Sequence, residues 1–257
     1  MILVIDISNN HIVMAGMEAA KPLFSCRMAT VKSRTADEYA VLMELMARQN
    51  GADLSAMESC IISSVVPELT AVVKTAAQQL VGKSPLVVGP GLKTGLNIRL
   101  DDPSELAGDF VAAAVAALDR YPLPCVTVNM DTAVAMGALD KNGCYIGGTI
   151  AAGVMASQVA LSRGAALLHS VTPDAPSRVI GKNTVDSMKS GIVFGTAAML
   201  DGLLAGIDEE LGESVHVIAT GEWAEEVIPH CRRKGIVLDK DLAMRGLWLI
   251  YQKNKRN

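Results

Sequence analysis

The sequence has 257 residues, of which 50% are hydrophobic, and a formal net charge of −4 at pH 7. A chain of this length can form two domains, each with its own core. Its negative charge argues against broad nucleic-acid binding, and no apolar run approaches the ~20 residues of a membrane span. Asp6 interrupts the first apolar run, so a signal-peptide pattern is missing. Composition therefore predicts a soluble cytoplasmic protein without membrane or nucleic-acid partners.

The cysteines are odd in number, and no two of them have the C-x-x-C spacing of a redox or zinc motif. They are Cys26, Cys60, Cys125, Cys144 and Cys231. Most stand in apolar, strand-like runs, and the four histidines are scattered. We therefore expect reduced structural thiols, with neither a disulfide framework nor a zinc site.

In the first half of the chain, apolar runs alternate with helical patterns. The predicted order is a hairpin of strands 2–6 and 12–16, a strand at 22–30, a helix at 36–49, a strand at 59–65, a helix at 67–80, a strand at 85–89 and an Ala-rich helix ending near Arg120. Thr35 and Glu38 have the spacing of a capping box at the first helix. Pro67 is tolerated at the first position of the second helix.

The same pattern restarts after the proline-containing segment 121–124. The predicted order is strands at 124–129, 133–138 and 143–150, helices at about 153–166 and 183–211, a strand at 215–219, a helix from 222, a short strand at 235–238 and a helix from 240. Two such halves predict a duplicated α/β unit in which mixed sheets are flanked by helices. We place the domains at 1–121 and 122–257. Mobility between them and rigid packing both remain open.

Two matching segments, 3–9 and 126–132, begin the two halves. Each is an apolar strand that ends in a polar side chain and runs into a small polar turn. Two such turns suit a phosphate clamp, in which backbone N–H groups must approach the ligand closely. Ser8 and Asp131 carry side chains where such a clamp needs bare backbone. The ancestral function is therefore easier to predict than the present one.

Several further stretches follow in the collinear order of a known family. They are 34–39 (RTADEY), 62–67 (ISSVVP), 89–95 (GPGLKTG), 102–105 (DPSE), 147–150 (GGTI) and 180–185 (IGKNTV). With them the chain resembles the type III pantothenate kinases of the actin-like kinase superfamily. The resemblance implies two ribonuclease-H-like domains and a homodimer formed by helices of the second domain, with a substrate pocket completed at the interface. It also implies ATP-dependent phosphorylation of pantothenate, the first step of coenzyme A synthesis.

The resemblance assigns the first phosphate loop to the turn after the first strand. Asp6 would orient Mg²⁺ and phosphate, and Asn9 also matches the family pattern Asp-x-Gly-Asn-Thr. Ser8 replaces the glycine of that pattern, and Asn10 replaces its threonine. All four residues are assigned to ATP binding, with the loop altered at two positions.

The second phosphate loop and the adenosine end are altered too. Thr132 is retained as a phosphate contact, but Asn129 replaces the carboxylate that the family uses for a monovalent cation, K⁺ or NH₄⁺. Asp131 puts a like charge close to phosphate. Gly221 matches the family Thr-Gly-Gly motif, whereas Glu222 replaces its last glycine. A glutamate is also favourable in the first turn of a helix.

On the substrate side, 107–110 aligns with the family motif Gly-Ala-Asp-Arg. Ala107 and Gly108 would bind substrate, and Asp109 would be the general base for its hydroxyl. Phe110 replaces the arginine of the motif and cannot supply its planar cationic fork. Alternatively, Asp109 is a carboxylate that helps to cap the Ala-rich helix.

Two other positions complete the substrate assignments. Leu100 falls where a tyrosine is usual, and Thr184 is a retained substrate contact.

Three hypotheses follow from the motifs. The chain is a working kinase that uses ATP, Mg²⁺ and a monovalent cation. It is a pseudokinase that acts as a binding or regulatory subunit, for instance in a heteromer with an active paralogue. Or it is a kinase with a changed substrate, in which Phe110 and Leu100 line a more apolar pocket.

Overall fold

A computed structural model describes residues 1–164 and 167–255 of the chain. Two units emerge from their contacts. The first comprises Met1–Arg120 and the residues from Asp241 onward, and the second comprises Tyr121–Lys240.

The first unit contains most of the elements predicted for the first half. Its strands are β1 (Ile2–Ile7), β2 (His11–Glu18), β3 (Lys21–Ala29), β4 (Cys60–Ser64), β5 (Leu86–Val87) and β6 (Asn97–Ile98). Its helices are α1 (Ala36–Gln49), α2 (Pro67–Val81), α3 (Gly108–Arg120) and α7 (Leu242–Asn254), with 3₁₀ turns at Leu54–Ala56 and Pro103–Glu105. The capping box is confirmed, because the Glu38 N–H donates to Thr35 Oγ1 at 3.3 Å and the Thr35 N–H donates to Glu38 Oε2 at 2.7 Å.

The main sheet of this unit has the strand order β3-β2-β1-β4-β5. The first three strands pair antiparallel, whereas β4 and β5 join in parallel. One face of the sheet packs against α1 and α2 through residues such as Ile5, Tyr39 and Leu69. The other face packs against α3 and α7 through residues such as Val4 and Leu247.

The C-terminal helix does not belong to the unit in which the predicted domain boundary at residue 121 placed it. We placed it in the second domain, but α7 groups with the first unit. It packs so closely on α3 that a Cβ on Gly246 would lie 1.8 Å from the carbonyl oxygen of Ala112. The run of alanines in α3 permits this approach, a long-range contact that helix periodicity does not encode.

The second unit repeats the architecture of the first. Its strands are β7 (Cys125–Met130), β8 (Ala133–Leu139), β9 (Cys144–Ala152), β10 (His216–Thr220) and β11 (Val237–Leu238). Its helices are α4 (Val154–Gly164), α5 (Thr184–Leu211) and α6 (Ala224–Val227), with a 3₁₀ turn at Ile228–His230. Residues 165 and 166, where α4 was predicted to end, lie outside the described residues. The helix predicted from 222 is short because Pro229 cannot donate within it.

Strand order in the second unit confirms the predicted duplication. The strands run β11-β10-β7-β8-β9, with β7, β8 and β9 antiparallel and β10 and β11 parallel. When the strands are numbered from β1 in the first unit and from β7 in the second, the first five strands of each unit therefore lie in the order 3-2-1-4-5. The predicted α/β fold of duplicated, mixed sheets flanked by helices is confirmed.

Among the described residues, α5 is the one helix long and apolar enough to cross a membrane by length and composition. Core helices of soluble proteins pass the same test. Here Ile192, Val193 and Leu200 of α5 are buried in the core of the second unit. The helix therefore gives only weak evidence for a membrane.

All five cysteines are free and buried. Burial raises the pKa of the Cys125 thiol to about 12 and that of Cys231 to about 11. Because the thiolate is the reactive form, these side chains are structural and unreactive near neutral pH.

Candidate functional site

The carboxyl ends of β1 and β4 bring two polar side chains together. Asp6 on β1 is in register with Ser63 on β4. Two residues earlier, Val4 and Ile61 are also in register and pack in the core that contains α3 and α7. Because side chains alternate along a strand, Asp6 and Ser63 lie on that same face, where the core ends.

Helix α3 begins beside Ser63. A Cβ on Gly108, its first residue, would lie 3.1 Å from Ser63 Oγ. Asp109 is the second residue of α3. The structure thus groups Asp6, Ser63 and the helix start that carries Asp109 in one unit. Sequence analysis did not assign Ser63 to the site, although a hydroxyl at the end of a buried strand was a signal.

Ser63 is 0% exposed, and its Oγ has no hydrogen-bond partner among the described residues. Burial of a hydroxyl without a hydrogen bond is unfavourable. We therefore expect Ser63→Ala to raise the free energy of unfolding by about 1 kcal/mol, measured in urea without ligand.

A matched control is Ser190→Ala in α5. Ser190 is also buried, at 6% exposed, but donates to the carbonyl of Val179 at 2.5 Å. Its replacement should lower the free energy of unfolding by about 1 kcal/mol. If Ser63→Ala destabilised the chain as Ser190→Ala does, Ser63 would have an internal partner.

The turn after β1 is held by its own hydrogen bonds. The N–H of Ser8 donates to the carbonyl of His11 at 2.9 Å, and its carbonyl accepts from Thr30 Oγ1 at 2.7 Å. Ser8 Oγ donates to Asp6 Oδ2 at 3.3 Å. The serine that replaces glycine therefore lies against the carboxylate assigned to Mg²⁺ and phosphate. Asn9 and Asn10 are exposed at the tip of the turn.

A pocket of about 600 Å³ opens beside the start of α3 within the first unit. Its walls include apolar side chains such as Val88, Leu92 and Val111, with Ala107 and Gly108 among the lining residues. Leu100 and Phe110 are partly buried and stand outside the lining. A mostly apolar pocket with a few polar groups beside it is typical of a small-molecule site.

In the second unit, the turn after β7 is tied to the turn after β10. The N–H of Glu222 donates to Asp131 Oδ1 at 2.8 Å, and the N–H of Trp223 donates to the carbonyl of Met130 at 3.0 Å. The N–H of Asp131 itself donates to the carbonyl of Ala133 at 3.1 Å. The turns assigned to phosphate and to adenosine therefore lie together.

Gly221 allows this close approach. Its φ of +99° is in the left-handed region, and a Cβ there would lie 2.6 Å from Asn129 Oδ1 and 2.6 Å from the Met130 nitrogen. Asn129 Oδ1 is buried, without a hydrogen-bond partner in the described part of the chain. Thr132 follows Asp131 in the turn and is partly buried.

Thr184 is the first residue of α5 and is exposed. Asn183 caps this helix, because its Oδ1 accepts from the N–H of Asp186 at 2.8 Å. Thr184 belongs to the second unit, as do Asp131 and Gly221, whereas Asp6 and Asp109 belong to the first.

Two mixed sheets of corresponding strand order, each with a polar turn after its first strand, form the duplicated actin-like fold. Solved structures of low sequence identity share this fold. The activator of the 2-hydroxyisocaproyl-CoA dehydratase from Clostridium difficile, with bound ADPNP, is 9% identical and covers 100% of this chain and 98% of its own, with a TM-score of 0.59. A ROK hexokinase from Thermus thermophilus is 12% identical and covers 98% of both chains, with a TM-score of 0.54.

Sequence comparison narrows the class to one family. The family described as type III pantothenate kinase matches residues 2–206. A type III pantothenate kinase of Geotalea daltonii is 37% identical over 257 residues and covers 100% of both chains. This chain belongs to the type III pantothenate kinase family.

Proposed function

We propose that this chain is a pantothenate kinase-like protein of coenzyme A biosynthesis, which phosphorylates pantothenate with ATP far more slowly than a relative with intact loops. Family membership over the whole chain supports the reaction. The observation that carries the proposal is the grouping of Asp6, Ser63 and the start of α3 beside the pocket of the first unit.

Phosphoryl transfer depends mainly on positioning and on stabilisation of charge. Asp109 would accept the proton of the substrate hydroxyl, a contribution typically of about 10²–10⁴ in rate. Asp6 suits Mg²⁺, since this ion prefers oxygen ligands. When bound, Mg²⁺ would neutralise charge on the phosphates. Ala107 and Gly108 would line the substrate pocket, with Leu100, Phe110 and Thr184 as the remaining substrate positions.

The low rate is ascribed to the nucleotide loops. Asn9, Asn10, Thr132 and Gly221 would contact ATP, but Ser8 and Asp131 add side chains where backbone should face phosphate. The loss of one oriented donor at a charged transition state costs about 10²–10³ in rate. At the monovalent-cation position, the buried Oδ1 of Asn129 offers one neutral oxygen, a fit for K⁺ or NH₄⁺ that is weaker than a carboxylate.

We also propose a cytoplasmic homodimer. Apolar side chains are exposed near the start of α5, among them Val179, Ile180 and Val185. Exposed apolar patches of this kind mark interaction surfaces. Sedimentation of the purified protein at several concentrations tests the assembly.

A coupled kinase assay with pantothenate and Mg-ATP tests the proposed reaction. We expect saturable turnover that Asp109→Asn lowers by about 10²–10⁴. Asp53→Asn is the matched control, because the carboxylate of Asp53 caps a turn in the same unit by accepting from the N–H of Ser55 at 2.9 Å. Turnover unaffected by Asp109→Asn would make Asp109 a helix-terminal carboxylate and contradict its role as the base.

The hydrogen bond between Asp131 and Glu222 favours a second candidate, a pseudokinase that acts as a binding or regulatory subunit, for instance with an active paralogue. A folded protein that neither binds Mg-ATP nor turns over pantothenate would support this candidate. Co-purification with a motif-complete family member would then identify the partner.

A further inference from the structure

We infer that Asp131 sets the nucleotide specificity of this chain by occupying the nucleotide end of the second unit with its own carboxylate, so that adenosine binds better than ATP. The inference rests on the proposed function, because it takes the turns after β7 and β10 as the nucleotide-binding turns. Beyond the proposed function, the inference states that Asp131 disfavours binding of the ATP polyphosphate and does not affect binding of the nucleoside.

The geometry shows where the carboxylate is held. Asp131 Oδ1 lies 2.8 Å from the nitrogen of Glu222, which is 91 residues away in the chain. A second hydrogen bond, 3.0 Å long, runs from the N–H of Trp223 to the carbonyl of Met130 and holds the same two turns together. The carboxylate is therefore directed towards the turn after β10, and an N–H that could face an anion is already occupied.

The surroundings of Asp131 fix its position. A Cβ on Gly153 would lie 2.8 Å from the Asp131 carbonyl oxygen and 2.5 Å from that of Thr132, so the residue that follows β9 packs directly against the turn. The negative charge of Asp131 repels a polyphosphate, whereas a neutral nucleoside carries no charge to be repelled.

Two substitutions separate charge from hydrogen bonding. Asp131→Asn keeps an oxygen that can accept from the Glu222 N–H but removes the charge, and Asp131→Gly removes both. The matched control is Asp140→Asn at the opposite end of β8. Asp140 Oδ1 also fixes a turn, by accepting from the N–H groups of Asn142 at 2.9 Å and Cys144 at 2.8 Å.

Calorimetric titration of each folded protein with Mg-ATP and with adenosine is the test. We expect the wild-type chain to bind adenosine more tightly than ATP. Both Asp131 variants should raise ATP affinity about tenfold or more and leave adenosine affinity unchanged within about twofold, and the gain should shrink at high salt, where charge repulsion is screened. Asp140→Asn should change neither affinity.

Unchanged ATP affinity in both Asp131 variants would overturn the inference, as would a wild-type preference for ATP over adenosine. The proposed function has a separate outcome. Turnover of pantothenate by a wild-type chain that prefers ATP would retain the proposed function and reject the role of Asp131. A gain in ATP affinity without turnover in any variant would retain the role of Asp131 and reject the kinase reaction.

Discussion

Gly246→Ala is expected to lower the free energy of unfolding of the first unit by about 3 kcal/mol or more. The new Cβ would lie 1.8 Å from the carbonyl oxygen of Ala112 and 2.4 Å from its carbonyl carbon. Both are backbone atoms of a helix, so no side-chain rotation relieves the overlap. Helices α3 and α7 would have to separate and would loosen the core between Val111 and Leu247. Urea-induced unfolding gives the change directly.

Gly164→Ala is the matched control, since Gly164 ends helix α4 and a Cβ there would meet no atom of the described residues within 4 Å. Alanine is the better helix former by up to about 1 kcal/mol, so this variant should be as stable as wild type or slightly more stable. Equal stability of the two variants would show that α3 and α7 are not in backbone contact. Because α3 carries Asp109, Gly246→Ala should also weaken pantothenate turnover.

Gly221→Ala is expected to lower the free energy of unfolding of the second unit by about 3 kcal/mol. Alanine is strained at a φ of +99°, and its Cβ would lie 2.6 Å from Asn129 Oδ1 and 2.7 Å from the Met130 carbonyl carbon. To relieve the overlap, the turn after β10 must move away from β7. The bonds from Glu222 to Asp131 and from Trp223 to Met130 would then both be broken, and the two turns would separate.

Gly235→Ala is the control that separates the two effects expected in Gly221→Ala, the backbone strain of alanine at a positive φ and the steric overlap of its Cβ. Gly235 also has a positive φ, +79°, but within the described part of the chain a Cβ there would meet no atom within 4 Å. Only the left-handed conformation is unfavourable for alanine at this position, about 1–2 kcal/mol. The additional loss in Gly221→Ala, measured by urea-induced unfolding of both variants, reports the close approach. Equal losses would mean that the two turns are not packed together.

Local features of the fold could be predicted from the sequence. The capping box of Thr35 and Glu38 lies within one helical turn, and the duplication follows from a pattern of apolar runs that occurs twice along the chain. That α7 belongs to the first unit could not be predicted. It depends on a contact between Gly246 and Ala112, two residues that are far apart in the sequence.

The candidate site was predictable only as far as its motifs. Asp6, Asp109, Asp131 and Gly221 stand in segments that can be recognised in the sequence. The bond between Asp131 and Glu222 joins residues 91 positions apart, so sequence could suggest only repulsion of phosphate. The unpartnered hydroxyl of Ser63 likewise becomes visible only when β1, β4 and α3 are assembled.

The most direct measurement compares pantothenate turnover with Mg-ATP for this chain and for the 37% identical relative from Geotalea daltonii, side by side. We expect this chain to show saturable turnover that is lower by about 10²–10³, because its phosphate loops carry Ser8 and Asp131 in place of bare backbone. A rate equal to that of the relative would contradict the proposed effect of these residues. No turnover at all by the folded protein would contradict the kinase reaction itself.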